Sequence, residues 1–148
     1  MPTSDPKKVI QASRLVNATP QQIFDLLADP RQHAHIDGSR TVQNARASAP
    51  ERLSLGAKFG MDMKITLPYR ITNEVVEFDE PNLIGWRHFG GHVWRYVLEA
   101  TDGGTMVTEQ FDWTHSKSPL VLKIRGAFDK NQKAIEATLE RLAAHFES

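Results

Sequence analysis

The stretch from Leu83 to Ala100, LIGWRHFGGHVWRYVLEA, holds two of the chain's three tryptophans, two histidines and a Gly-Gly pair. Side chains alternate across a strand, so Ile84, Trp86 and His88 share one face, and Trp94, Tyr96 and Leu98 share another. The same rule groups Val107, Glu109, Phe111 and Trp113. An imidazole or a carboxylate can take a proton from a carbon acid, and a phenol or guanidinium can hold the enolate oxygen that results. His88 or Glu109 is thus the candidate base, with Tyr96 or Arg95 as donor. A buried glutamate is costly unless it is paired, so Glu109 needs either a protein partner, His88 or Arg95, or a ligand.

His33, His35 and Asp37 in the HAHID segment are of metal-ligating types, yet residues two apart on a helix point in different directions. Ligand pairs on a helix need spacings of three or four, so no metal is expected and the segment reads as exposed. Gly90-Gly91 and Gly103-Gly104 lie between strands, without the following helix N-terminus that a phosphate site uses. The cations Lys117, Lys123, Arg125, Lys130 and Lys133 read as one solvated face of the last helix.

The elements that must position these residues follow from periodicity. Val9 to Val16 reads as a strand. NATPQQIFDLLADP then changes period, with Thr19 as N-cap, Pro20 at the first helical position, and an Ile23, Phe24, Leu27 stripe. RQHAHIDGS reads as a second short helix ending near Gly38. Thr41 to Ala47 is a weak strand, whereas Ala57, Phe59, Met61, Met63 and Ile65 alternate sharply with polar residues. Tyr69 to Phe78, Leu83 to Phe89, His92 to Ala100 and Thr105 to Trp113 continue an antiparallel meander, the glycine pairs marking hairpins. From Ser118 to Phe146 apolar residues recur every three or four positions, which predicts one long helix, with a close contact or a slight bend at Gly126.

Composition bounds the function. A chain of 148 residues is the size of one ordinary domain, expected here over 1–148. Lysine plus arginine equals aspartate plus glutamate at 18 each, so no net field gathers nucleic acid or an anionic membrane. No cysteine is present, which removes thiolate chemistry. The start, MPTSDPKKVIQ, has no apolar run after its basic pair, and no segment approaches transmembrane length, so a cytoplasmic location without membrane insertion is expected.

The order of elements, with NATPQQIFDLLADP, LGAKF, VVEFDEPNLIGW, WRYVLEATDGGTMVTEQFDW and the terminal amphipathic helix, resembles the START-like or SRPBCC helix-grip superfamily. More locally it is similar to the polyketide cyclase/dehydrase and lipid transport branch. The resemblance implies an α+β fold: a curved antiparallel sheet wrapped around a long C-terminal helix, with two short helices between the first two strands. It implies a cavity between sheet and helix, no cofactor, and inward-facing tryptophans, which carry His88, Tyr96 and Glu109 inward with them. The expected lining is Phe59, Met61, Met63, Trp86, His88, Trp94, Tyr96, Glu109, Phe111, Trp113 and Phe128, with His35 and Ile36 at the entrance. The expected function is binding of a hydrophobic or amphipathic lipid, polyketide or aromatic molecule. The alternatives are a cyclase or dehydratase using an inward His or Glu, and a protein-interaction module with a filled interior. Ligand identity and the choice of monomer or dimer stay open, and a bulge near the Asp79 to Asn82 turn would exchange the assigned faces.

Overall fold

The computed structural model describes residues 4–39, 42–45, 49–64, 67–88, 90–124 and 126–147, except the side chains of Asn44 and Ile124. Thr41, Arg46, Ala47, Ile65, Phe89 and Arg125, all named above or within the segments named, lie outside the described residues.

Strand β1 (Val9–Val16) leads into α1 (Pro20–Leu27). Thr19 and Gln22 cap that helix reciprocally: the Thr19 hydroxyl accepts from the Gln22 N–H, and the Gln22 side-chain Oε1 accepts from the Thr19 N–H. Pro20 fits the first turn because its missing N–H would have no helical partner there. A 3-10 turn (Pro30–Gln32) and the one-turn helix α2 (His33–Ile36) follow, in place of the single short helix expected. Asp29 caps the turn by accepting from the Arg31 N–H.

Six further strands complete the sheet: β2 (Val42–Ala45), β3 (Lys58–Lys64), β4 (Pro68–Asp79), β5 (Leu83–Arg87), β6 (Val93–Thr101) and β7 (Gly104–Asp112). Every pairing is antiparallel, in the order β1-β7-β6-β5-β4-β3-β2. The first strand therefore pairs with the last, and the sheet curls round α4 (Ala127–His145). Ile135, Thr138, Leu139, Leu142 and Ala143 form the buried stripe of α4, at the spacing that an amphipathic helix needs to cover a sheet.

Two expectations need correction. The last helical segment is not continuous: α3 (Pro119–Ile124) ends, and Gly126 at φ +67° starts α4 as a separate helix. That left-handed conformation is inexpensive for glycine, so the residue breaks the helix rather than bending it. The β5–β6 connection is also wider than a tight hairpin. Pairing stops at Arg87 with Val93, and the connection is braced by the Lys117 N–H donating to the Gly90 carbonyl. Gly91, at φ +86°, sits so close to the His115 carbonyl that a Cβ would lie 2.4 Å from its oxygen.

Between β3 and β7, the pairing of the described residues shifts on β4, between Val75 and Glu77. That shift lies before the aromatic strands, so Trp86 stays opposite Trp94, Trp94 opposite Phe111, and Tyr96 opposite Glu109. The faces read from alternation are retained for Trp86, Trp94, Tyr96, Glu109 and Phe111.

Candidate ligand cavity

Between the concave sheet face and α4 lies a cavity of about 730 Å³. Its walls come from three sources. Strands β3 to β7 present Met61, Met63, Ile71, Trp86, Trp94 and Phe111, α2 and its exit present His33, Ile36 and Asp37, and the helical side contributes Leu122, Ala134 and Thr138. The lining residues that are also exposed, among them Ser39, Tyr69 and Arg70, mark its mouth, with Lys130 of α4 beside them. The volume falls in the roughly 300–1,000 Å³ range typical of small-molecule sites.

Antiparallel register builds the wall. The Trp94 and Phe111 rings lie side by side with centroids 4.8 Å apart, and Trp86 meets Tyr96 at 5.9 Å. His33 stacks on Trp86 at 4.8 Å, and its Nε2 hydrogen-bonds the Leu27 carbonyl at 2.9 Å, so α2 is pinned to the wall by one imidazole. Burial disfavours the cationic form and lowers the pKa of His33, although the Leu27 carbonyl, Asp29 and Asp37 act against the shift.

Glu109, only 5% exposed, is the chemical centre of the inner end. Its Oε1 atom has no hydrogen-bond partner among the described residues, while the Tyr96 hydroxyl donates to the carboxyl group. Desolvation drives the Glu109 pKa well above the ordinary carboxylate value, with Asp37 adding to the rise and Tyr96 opposing it. The Tyr96 phenol is raised as well, chiefly by burial. Burial thus opposes the charged form of both groups.

Toward the β5–β6 loop lies a histidine pair. The His88 and His92 rings meet edge to face at 4.4 Å, and His92 packs on Phe111 at 4.8 Å. His88 Nδ1 accepts from the Gly90 N–H, whereas His92 Nδ1 is buried without a partner among the described residues. Desolvation lowers both pKa values; that of His92 falls to about 4, with His88 contributing. These imidazoles, whose protonation burial opposes, share the cavity with a carboxyl whose ionisation burial opposes.

Of the residues expected on the wall, Met61, Met63, Trp86, His88, Trp94, Tyr96, Glu109 and Phe111 line the cavity. Phe59, Trp113 and Phe128 do not. Phe59 packs edge-on against Trp86 and His33, filling the layer behind them. Trp113 lies past the end of β7, where alternation no longer governs it, and packs on Phe128 at 4.7 Å under the Lys8 ammonium.

Arg95 is excluded as a donor to the site. It sits on the opposite face of β6, where it binds Glu77 through Nε and through NH2 at 2.8 Å, Gln110 at 2.8 Å and Asp112 at 3.1 Å. It therefore partners neither Glu109 nor a ligand in the cavity. The HAHID segment is not an exposed strip either: His33 is buried, Ile36 and Asp37 line the cavity, and His35 faces solvent. No three metal-ligating side chains converge among the described residues.

Sequence reasoning missed His92, Asn73, Thr138 and the inward role of His33. His92 was legible, since it shares the parity of Trp94 and Tyr96. The Gly-Gly pair had marked its neighbourhood only as a turn.

Residues 7–147 match the family described as polyketide cyclase / dehydrase and lipid transport. The chain belongs to this family. An uncharacterised protein of Mycobacterium tuberculosis, Rv0088, is 36% identical to this family member over 138 residues. The alignment covers 88% of this chain and 61% of the relative, so the chain spans less than two thirds of the length of the curated relatives it matches. Solved structures share the helix-grip fold. The KanY protein superposes with a TM-score of 0.73 at 14% identity, over 95% of this chain and 97% of its own. Ginseng major latex-like protein 151 from Panax ginseng does so at 0.69 and 14%, over 95% and 97% likewise. At such identity the likeness concerns the fold. Among the described residues, no helix of this family member is long and apolar enough to cross a membrane.

Proposed function

We propose that this protein binds a hydrophobic or amphipathic small molecule in the cavity between the sheet and α4. The observation that carries the reading is an aromatic-walled space of about 730 Å³ containing a buried carboxyl oxygen, Glu109 Oε1, with no partner among the described residues. Burial of such a group without a partner costs about 1–3 kcal/mol, and a ligand offering a hydrogen bond there recovers it. Membership of a family whose description includes lipid transport supports a binding role. An interaction module with a filled interior fits less well, because the interior retains this space.

Native mass spectrometry of gently purified protein, followed by denaturing release, tests the proposal. A defined lipid, polyketide or aromatic molecule carried through purification supports it. Protein that is consistently free of cargo and takes up no apolar fluorescent dye overturns it.

A second reading, a cyclase or dehydratase, is favoured by one arrangement. A carboxyl whose ionisation burial opposes (Glu109), a phenol (Tyr96) and imidazoles whose protonation burial opposes (His88, His92) line one cavity, which brings a candidate proton donor and acceptor together for carbonyl chemistry. With a candidate polyketone, His88→Ala or Glu109→Gln abolishes turnover while largely preserving affinity if this reading holds. A carrier loses affinity or nothing.

A further inference from the structure

A row of charge crosses three strands on the outer face of the sheet, turned away from the cavity. Asn73 and Trp86 line the cavity, so their chain neighbours Thr72, Glu74 and Arg87 belong to the opposite face. Lys58 pairs with Glu74 across β3 and β4, and Glu74 with Arg87 across β4 and β5, so the three stand side by side. A groove of about 400 Å³ lies over this row, and Gly91 and Lys117 line it beyond the end of β5. The Lys117 N–H donates to the Gly90 carbonyl at 2.9 Å, which brings a third cation from a distant loop to the strand row.

The cations of this groove are unspent. Elsewhere arginines meet carboxylates: Arg52 binds Asp25 and Glu80, Arg70 faces Asp62, and Arg95 binds Glu77 and Asp112. Lys58, Arg87 and Lys117 form no ion pair among the described residues, although Glu74 stands beside two of them in the sheet. Three positive charges against one negative leave a local excess of two, in a chain whose formal net charge is zero. Burial opposes the cationic form of His88, which also lines the groove, so the excess is counted without it.

We propose that this groove is a second binding site, separate from the cavity, which takes a phosphate dianion, free or as a monoester. The charge of the ligand matches the excess, whereas a carboxylate or a phosphodiester supplies only half of it. Above its second pKa of about 6 a phosphate monoester carries nearly two charges and three strong acceptor oxygens. The planar Arg87 guanidinium offers a fork to two of these, the lysine ammonium groups act as mobile point charges, and the Thr72 hydroxyl is a further donor. Glu74 opposes the anion and holds the affinity down. The groove is larger than one phosphate group, so an organic remainder fits beside it. His88 borders groove and cavity alike, which places the bound phosphate against the far side of the cavity wall.

An amide NMR titration at pH 7.5 and fixed ionic strength tests the site with inorganic phosphate, glycerol 3-phosphate and dihexanoyl phosphatidate, against dimethyl phosphate and acetate as singly charged controls. At least one dianion should move the amides of Thr72, Glu74, Arg87, Gly91 and Lys117 and bind about tenfold more tightly than either control. Whichever of the three binds best identifies the source as the free ion, a soluble monoester or a lipid headgroup, and each of these results supports the site. Arg87→Gln and Lys117→Gln should each weaken binding by about tenfold, and Glu74→Gln should tighten it by about threefold. Lys64→Gln, which removes an exposed cation at the other end of β3, should leave the affinity unchanged. The dispersion of each amide spectrum establishes that the variant is folded. Controls that bind as tightly as the dianions overturn the proposal, as does a loss in Lys64→Gln as large as that in Arg87→Gln, which marks diffuse charge attraction. Absence of binding, or shifts confined to cavity residues such as Trp94 and Phe111, overturns it too and leaves the cavity reading untouched.

Discussion

Glu109 and His92 make opposite contributions to stability as pH changes. A carboxyl whose pKa rises on folding from the ordinary 4.5 holds its proton more tightly in the folded chain. Its stabilising contribution is therefore complete below about pH 4.5 and is lost as pH rises toward the raised folded value. Glutamine keeps an acceptor for Tyr96 and cannot ionise. Glu109→Gln should accordingly gain progressively on the parent protein as pH rises from 4.5 to 8, read as a shift in urea midpoints. His92 runs the other way. With its pKa depressed from 6.5 to about 4, the unfolded chain binds the extra proton between those values, so stability falls as pH drops through that window. His92→Phe, which keeps a ring on Phe111, should outperform the parent at pH 5 by about 2 kcal/mol more than at pH 7.5, in the same denaturation assay. The grouping of Tyr96 with Trp94, and of Glu109 with Phe111, was legible from period-two alternation, and the resemblance to the helix-grip superfamily turned those faces inward. Their unpartnered atoms were not, because a missing hydrogen bond depends on neighbours from other strands.

At the scale of elements, α4 packs mainly against β1, and the cavity lies between it and strands β3 to β7. Gly38, at the exit of α2, donates its N–H to the Thr138 hydroxyl at 2.8 Å. A Cβ there would lie 2.5 Å from the Thr138 nitrogen and 2.6 Å from the Ala134 carbonyl oxygen, backbone atoms that cannot turn aside. Gly38→Ala should therefore destabilise the fold by about 2 kcal/mol and weaken ligand binding as well, since α2 and α4 both line the cavity. Thermal denaturation and dye binding measured on one preparation check both effects. Thr19, Pro20 and the apolar stripe of α1 were readable because capping is local chemistry. The break at Gly126 was harder to read: its sequence cost is the same whether glycine bends a helix or ends one, and only the packing of α3 and α4 selects the φ of +67°.

For the whole molecule, the same empty space that admits a ligand also withholds packing energy from the fold. Met61→Trp enlarges a buried wall residue into that space. It should raise the stability of the unliganded protein by about 1 kcal/mol while reducing affinity for a naphthalene-sized ligand at least tenfold, measured by denaturation and calorimetry respectively. The converse follows by mass action: a ligand present at about a hundred times its dissociation constant stabilises the parent by about 2.7 kcal/mol and the Met61→Trp variant far less. By itself, the sequence determined the order of strand and helix periods and the alternation within each strand, because those are set by local backbone geometry; its resemblance to the helix-grip superfamily supplied the architecture and the common inward face of Trp86, Trp94, Tyr96 and Glu109. Tertiary structure alone decided that Arg95 is consumed by Glu77 and Asp112 on the far face, that Trp113 and Phe128 seal one another away from the cavity, and that His33 is drawn from a polar segment onto Trp86. Each of these outcomes depends on which distant segments meet, and therefore on which polar atoms find partners and which are left for a ligand.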